Sequence, residues 1–127
     1  MAEPAGGRAA AGRRGEAAAA LYYQKRGCTL LAHNYRTRLG ELDLVLLEGG
    51  TLVFAEVKTR AVRSSGWGAP GEAVGPNKRR RLLLAARQYL RASPYRELPV
   101  RFDVVEVTPA PGGGLLVHCI RGAFEDG

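Results

Sequence analysis

Two alternating apolar runs on either side of Gly49-Gly50 restrict this chain more than any other feature. Leu42 to Leu47 and Thr51 to Lys58 each read as a strand, and a two-residue glycine loop between them predicts a β-hairpin. Pairing outward from the loop sets Glu48 against Thr51, Asp43 against Glu56 and Glu41 against Lys58. With a strand period of two, Glu41, Asp43, Glu56 and Lys58 then share one face of a sheet. Val45, Leu47, Leu52 and Phe54 lie on that face, and Leu42, Leu44, Leu46, Val53, Ala55 and Val57 on the other. Apolar side chains on both faces predict a hairpin covered on both sides.

Opposed side chains on paired strands stand about 4.5–5.5 Å apart at Cβ, where like charges repel. Asp43 and Glu56, set among apolar neighbours, therefore require a shared proton or a cation between them. A hard divalent ion suits them, because such ions prefer carboxylate oxygens. The competing reading is a pair of solvated carboxylates on an edge hairpin, with Glu41–Lys58 an ordinary surface pair.

At 127 residues the chain has room for one core, not two. Lys and Arg outnumber Asp and Glu by 19 to 12, a formal charge of +7 that favours a polyanionic partner. No run is long and apolar enough to span a membrane, and no compact apolar leader opens the chain, so the expected compartment is the cytoplasm. Cys28 and Cys119 lack metal-type spacing and read as small core residues in a reducing environment.

Residues 1–13, rich in Ala, Gly and Arg, read as a disordered basic tail before a single domain over 14–127. A helix fits Arg14 to Arg26 and stops at Gly27; Glu16 lies in its first turn, where a carboxylate complements the helix dipole. Thr29 to His33 reads as a strand, and Asn34 to Leu39 as a turn carrying Arg36 and Arg38. Arg60 to Pro76 is a long glycine- and proline-rich loop, of a length that tends to be functional. Trp67 within it either stacks on a base or pins the loop to the core.

Asn77 is placed to cap a second helix reaching about Ala92, with Leu82, Leu83, Ala86, Tyr89 and Leu90 as its apolar stripe. Its first turn holds Lys78, Arg79, Arg80 and Arg81, the wrong sign of charge for a helix N-terminus. A bound phosphate backbone offsets that repulsion, and a solvated basic face is the alternative. Arg36, Arg38 and Arg60 join these four as candidate nucleic-acid contacts. Val100 to Thr108 and Leu115 to Ile120 complete the strands; Asp103 is an extra acid or a strand-end polar residue, and His118 a core or edge histidine. The order α-β-β-β-α-β-β predicts an α/β domain with a mixed central sheet flanked by helices. The first helix is expected to deliver Glu16 to the hairpin acids.

An acid on a helix, an Asp on one strand and Glu-x-Lys on its neighbour form the pattern of PD-(D/E)xK nucleases. At Gly15-Glu16, at Gly40-Glu41-Leu42-Asp43-Leu44-Val45, at Phe54-Ala55-Glu56-Val57-Lys58-Thr59-Arg60 and at Arg101-Phe102-Asp103-Val104-Val105, the chain resembles the UPF0102/YraN family. That family is related to archaeal Holliday-junction resolvases and other restriction-endonuclease-like proteins. The resemblance runs from about Arg14 to Phe124, with Leu42-Asp43 standing where Pro-Asp is expected.

The resemblance implies a restriction-endonuclease-like fold and a Mg²⁺- or Mn²⁺-dependent endonuclease acting on DNA, on branched or repair and recombination intermediates. It implies a homodimer by analogy with resolvases, which cut two strands symmetrically. Asp43 and Glu56 are then the metal ligands, joined by Glu16 as an additional catalytic acid. Lys58 orients the attacking water and stabilises charge on phosphate. Glu41 either orients Lys58 or pairs with it as a plain ion pair. Hydrolysis of a phosphodiester needs a metal to activate water and a fixed positive group where charge accumulates, which these residues supply. The alternative is a nucleic-acid-binding module of the same fold that does not cut.

Overall fold

A computed structural model describes residues 8–60 and 75–124. Its strands, β1 (Thr29–Arg36), β2 (Glu41–Glu48), β3 (Thr51–Thr59), β4 (Val100–Pro109) and β5 (Leu115–Phe124), form one sheet in sequence order. Helix α1 (Arg8–Lys25) precedes β1, and α2 (Pro76–Ala92) lies between β3 and β4. The β3–β4 pair is parallel and its neighbours are antiparallel. A parallel pair needs a long crossover, which the segment containing α2 provides. The α-β-β-β-α-β-β order and the mixed, helix-flanked sheet are as expected from the sequence.

The continuous apolar runs of the hairpin have the predicted consequence. On one face, Val45, Leu52, Phe54, Phe102 and Val104 pack with Leu82, Ala85 and Ala86 of α2. On the other, Leu44, Leu46, Val53, Ala55, Val105 and Val107 pack with Ala19 and Tyr23 of α1. Each fully buried Leu, Val or Phe contributes about 1.5–3 kcal/mol relative to exposure, so β2, β3 and β4 anchor the domain.

The hairpin register holds from Glu48↔Thr51 to Leu44↔Ala55, with Gly49 at φ +58 in the turn. It then departs from expectation. Ladder pairing ends at Leu44↔Ala55, and Leu42 joins Val45 in the α2-side cluster instead of alternating with Leu44. The Val57 N–H donates to Asp43 Oδ2 at 2.8 Å, so a side chain takes over where the ladder stops. Asp43 and Glu56 therefore meet at an opening strand end and not as a ladder pair. Glu41 does not face Lys58: it pairs with Arg36 across the β1–β2 edge, at 3.7 Å between largely exposed side chains. The sheet continues on that side, and the charge follows the strand that remains.

Several boundaries also move. Helix α1 starts at Arg8 and not at Arg14. Strand β1 continues to Arg36 through Asn34, which adopts φ 52. The α2 N-cap is Gly75, with Pro76 opening the helix, so Asn77 is not the cap. Strand β5 extends to Phe124. Among the described residues, no helix is long and apolar enough to cross a membrane. Trp67 and the loop around it, 61–74, lie outside the described residues, as do 1–7 of the expected basic tail.

Candidate metal and nucleic-acid site

Two glycines decide how the helices approach the acid end of the sheet. A side chain at Gly15 would overlap Thr59 Oγ1, so its absence lets α1 rest directly on the end of β3. A side chain at Gly40 would overlap the Arg81 carbonyl, so its absence lets α2 rest on the entry to β2. Gly15 precedes Glu16, and Gly40 opens the segment leading to Asp43. Both glycines stand in the motifs singled out above, where the acids alone drew notice. The sequence signal was present as Gly-Glu at both places, but its packing meaning required the helices.

Glu56 is 4 % exposed, which is unusual for a carboxylate. Its Oε2 lies 3.0 Å from Lys78 Nζ and 3.9 Å from Lys58 Nζ. Among the described residues, its buried Oε1 has no hydrogen-bond partner. Burial, followed by the negative charge of Asp43, pushes its pKa up to about 7, against the pull of Lys78. Asp43 is buried as well, and its Oδ2 takes the Val57 amide. Glu16 is half-buried; burial first, and Asp43's charge second, raise its pKa, while a hydrogen bond with Asn34 lowers it. Asp43 is thus the acid that both others feel.

The expected residues sort clearly on this geometry. Asp43, Glu56 and Lys58 are brought together. Glu16 comes within electrostatic reach of Asp43 from α1, but among the described residues no three His, Cys, Asp or Glu side chains converge to hold a metal ion. Glu41 contributes negative charge near Glu16 and pairs with Arg36. Lys78, expected on an outward basic turn, points instead at Glu56. Arg79, Arg80 and Arg81 are exposed as expected. Arg79 lies over the Phe124 ring at 5.2 Å, and a shallow groove of about 450 Å³ runs along Arg79, Arg80 and Arg87. Arg36 and Arg38 are exposed, whereas Arg60 pairs with Glu106 at 3.3 Å. His118 is exposed on β5, and Cys28 and Cys119 are free thiols, buried and half-buried.

The donor set can be tested for its fit to Mg²⁺ or Mn²⁺. Two adjoining carboxylates, one with a buried oxygen lacking a partner among the described residues, offer hard oxygen ligands at a place where bare charge is costly. Mg²⁺ is commonly held by one or two carboxylates, with water and substrate phosphate completing its shell. The residues present fit such an ion.

Comparison with known proteins agrees with the geometry in extent. The model of an uncharacterised protein family, UPF0102, matches residues 15–107, from within α1 to within β4. A UPF0102 protein of Symbiobacterium thermophilum is 48% identical over 114 residues, covering 90% of this chain and 95% of its own length. One from Pseudomonas savastanoi pv. phaseolicola is 40% identical over 123 residues, 96% of this chain and 98% of the relative. One from Rhodococcus opacus is 44% identical over 115 residues, 91% and 96% respectively.

Proposed function

This chain belongs to the UPF0102 family, and we propose that it is a metal-dependent endonuclease hydrolysing DNA phosphodiester bonds, with branched repair or recombination intermediates as substrates. The observation that carries the proposal is Glu56: buried beside Asp43, raised in pKa, and with one oxygen lacking a partner among the described residues. Such an arrangement is costly for a fold and useful for a cation site.

Asp43 and Glu56 would hold the ion, which when bound supplies a water of lowered pKa and polarises phosphoryl oxygen. Lys58, two residues along β3 from Glu56, would orient the attacking water and meet negative charge developing on phosphate. The Val57 amide keeps Asp43 in place. Glu16 acts from α1 through Asp43's neighbourhood, as a positioning acid. Arg79, Arg80 and Arg81 gather the phosphate backbone, a contribution that weakens steeply with salt. A homodimer suits symmetric cutting of two strands.

The placement of Lys78 on Glu56, with Glu16 set apart, favours one other reading: a module of this fold that binds DNA without cutting. Cleavage of labelled duplex, single-stranded, flap and four-way-junction DNA with Mg²⁺ or Mn²⁺ decides between them. Cutting by the native chain, lost in Asp43→Ala, supports the nuclease. Salt-sensitive binding by both proteins, with no cutting by either, supports the binding module.

A further inference from the structure

Lys78 is the nearest cation to Glu56 among the described residues, closer to its Oε2 (3.0 Å) than the motif lysine, Lys58 (3.9 Å). It comes from the opening turn of α2, a turn without an acidic residue, and its side chain keeps 37% exposure. Its neighbours Arg79 and Arg80 face solvent. The close seat of α2 at Gly40 holds this turn against the site. An ammonium on a flexible four-carbon stem is a compact charge that can serve either a carboxylate or a phosphate. A divalent cation and this ammonium draw on the same carboxylate, and their charges repel when both are present.

We propose that Lys78 occupies the cation position on Glu56 in the free protein and, once displaced by a divalent ion, becomes a ligand for the nucleic-acid phosphate reaching the site. This rests on the metal-site part of the reading above and adds a residue and an order of events to it. Lys78 keeps the buried carboxylate neutralised until the ion arrives. The released ammonium then swings towards the face where Arg79 and Arg80 gather phosphate. Metal loading and phosphate binding are thereby coupled through one side chain.

The test measures Mn²⁺ binding to the metal-free full chain by titration calorimetry, with native protein, Lys78→Gln and Lys78→Arg. Removing the competing ammonium should tighten Mn²⁺ binding about tenfold in Lys78→Gln, equivalent to about 1.4 kcal/mol. Lys78→Arg should return towards native affinity. A merely structural role would weaken binding or leave it unchanged, and either result overturns the proposal. Four-way-junction affinity gives the second readout. Lys78→Gln should lose several-fold with Ca²⁺ present and little in EDTA, whereas equal losses in both overturn the displacement. Melting curves report folding, and Lys78→Met repeats the measurement if Lys78→Gln does not fold. Native protein that fails to bind Mn²⁺ sinks this inference together with the metal site. Mn²⁺ binding that tightens as described, without DNA cleavage, sinks the nuclease reading alone.

Discussion

Asp103 and Glu56 are both buried carboxylates on neighbouring parallel strands, and they are treated in opposite ways. Asp103, 1% exposed, accepts from Tyr23 Oη at 2.7 Å, from Arg101 Nε and Nη2 at 2.8 and 3.0 Å, and from the Gly122 amide at 2.9 Å. Arg101 also reaches Glu48, which Arg121 meets at 2.9 Å. The Arg101 hydrogen bond is the largest cause lowering the Glu48 pKa, and Asp103 in turn supports the charge on Arg101. Among the described residues, Glu56 has two lysines on one oxygen and no partner on the other, beside a second carboxylate. A paired, hydrogen-bonded buried charge is structural material; a buried charge left partly unpaired is a candidate for chemistry. Asp103, read from the sequence as an extra acid or a strand-end polar residue, is neither exposed nor terminal: it is the centre of a structural network.

The sharpest way to break this contrast is to truncate each acid. Asp103→Ala should cost about 3–5 kcal/mol, because it removes the buried acceptor shared by Arg101, the Tyr23 hydroxyl and the Gly122 amide. Glu56→Gln should leave urea-melt stability within about 1 kcal/mol in metal-free buffer at pH 7, since it removes a poorly compensated charge. Equal losses at both positions would erase the distinction between network and site.

The pH dependence of stability sharpens it further. Folding raises the Glu56 pKa from the ordinary 4.5 to about 7, so the folded state holds the extra proton. The associated stability is present below about pH 4.5 and disappears as pH rises through about 7. Native protein in EDTA should therefore lose on the order of 2 kcal/mol between pH 5 and 8 relative to Glu56→Gln. Parallel pH profiles of the two proteins in thermal melts would refute the assignment.

Smaller effects test the outskirts. Tyr23→Phe removes one donor from Asp103 and should cost about 1–1.5 kcal/mol without changing DNA affinity, measured by urea melts and fluorescence anisotropy. Glu41→Gln breaks an exposed pair with Arg36 and should move stability by less than about 0.5 kcal/mol. A loss above 1 kcal/mol there would place Glu41 inside the site after all.

Much of this arrangement was legible in the chain. Alternation around Gly49-Gly50 set the hairpin register through Leu44↔Ala55, and apolar residues on both faces announced helices on both sides. Charge type and spacing put Asp43, Glu56 and Lys58 on one face of the sheet, as ladder neighbours; that they meet where the ladder ends came from the fold. The expectation failed where neighbouring strands competed for a residue. Glu41 went to Arg36 because β1 pairs β2 further than β3 does, and Leu42 left its alternation where that ladder stopped. Lys78 looked like one more charge in a basic turn because helix periodicity gives a direction only once the helix has a seat.

The sequence by itself determined the order of the elements, the hairpin pairing as far as Leu44↔Ala55 and the acids the strands carry, because periodicity and turn chemistry act over a few residues. The tertiary structure alone decided which buried acid is satisfied. Tyr23 of α1 comes to Asp103, and Lys78 of α2 to Glu56, across long stretches of chain. Those meetings depend on how closely α1 and α2 rest on the sheet, which Gly15 and Gly40 permit and which no local pattern specifies.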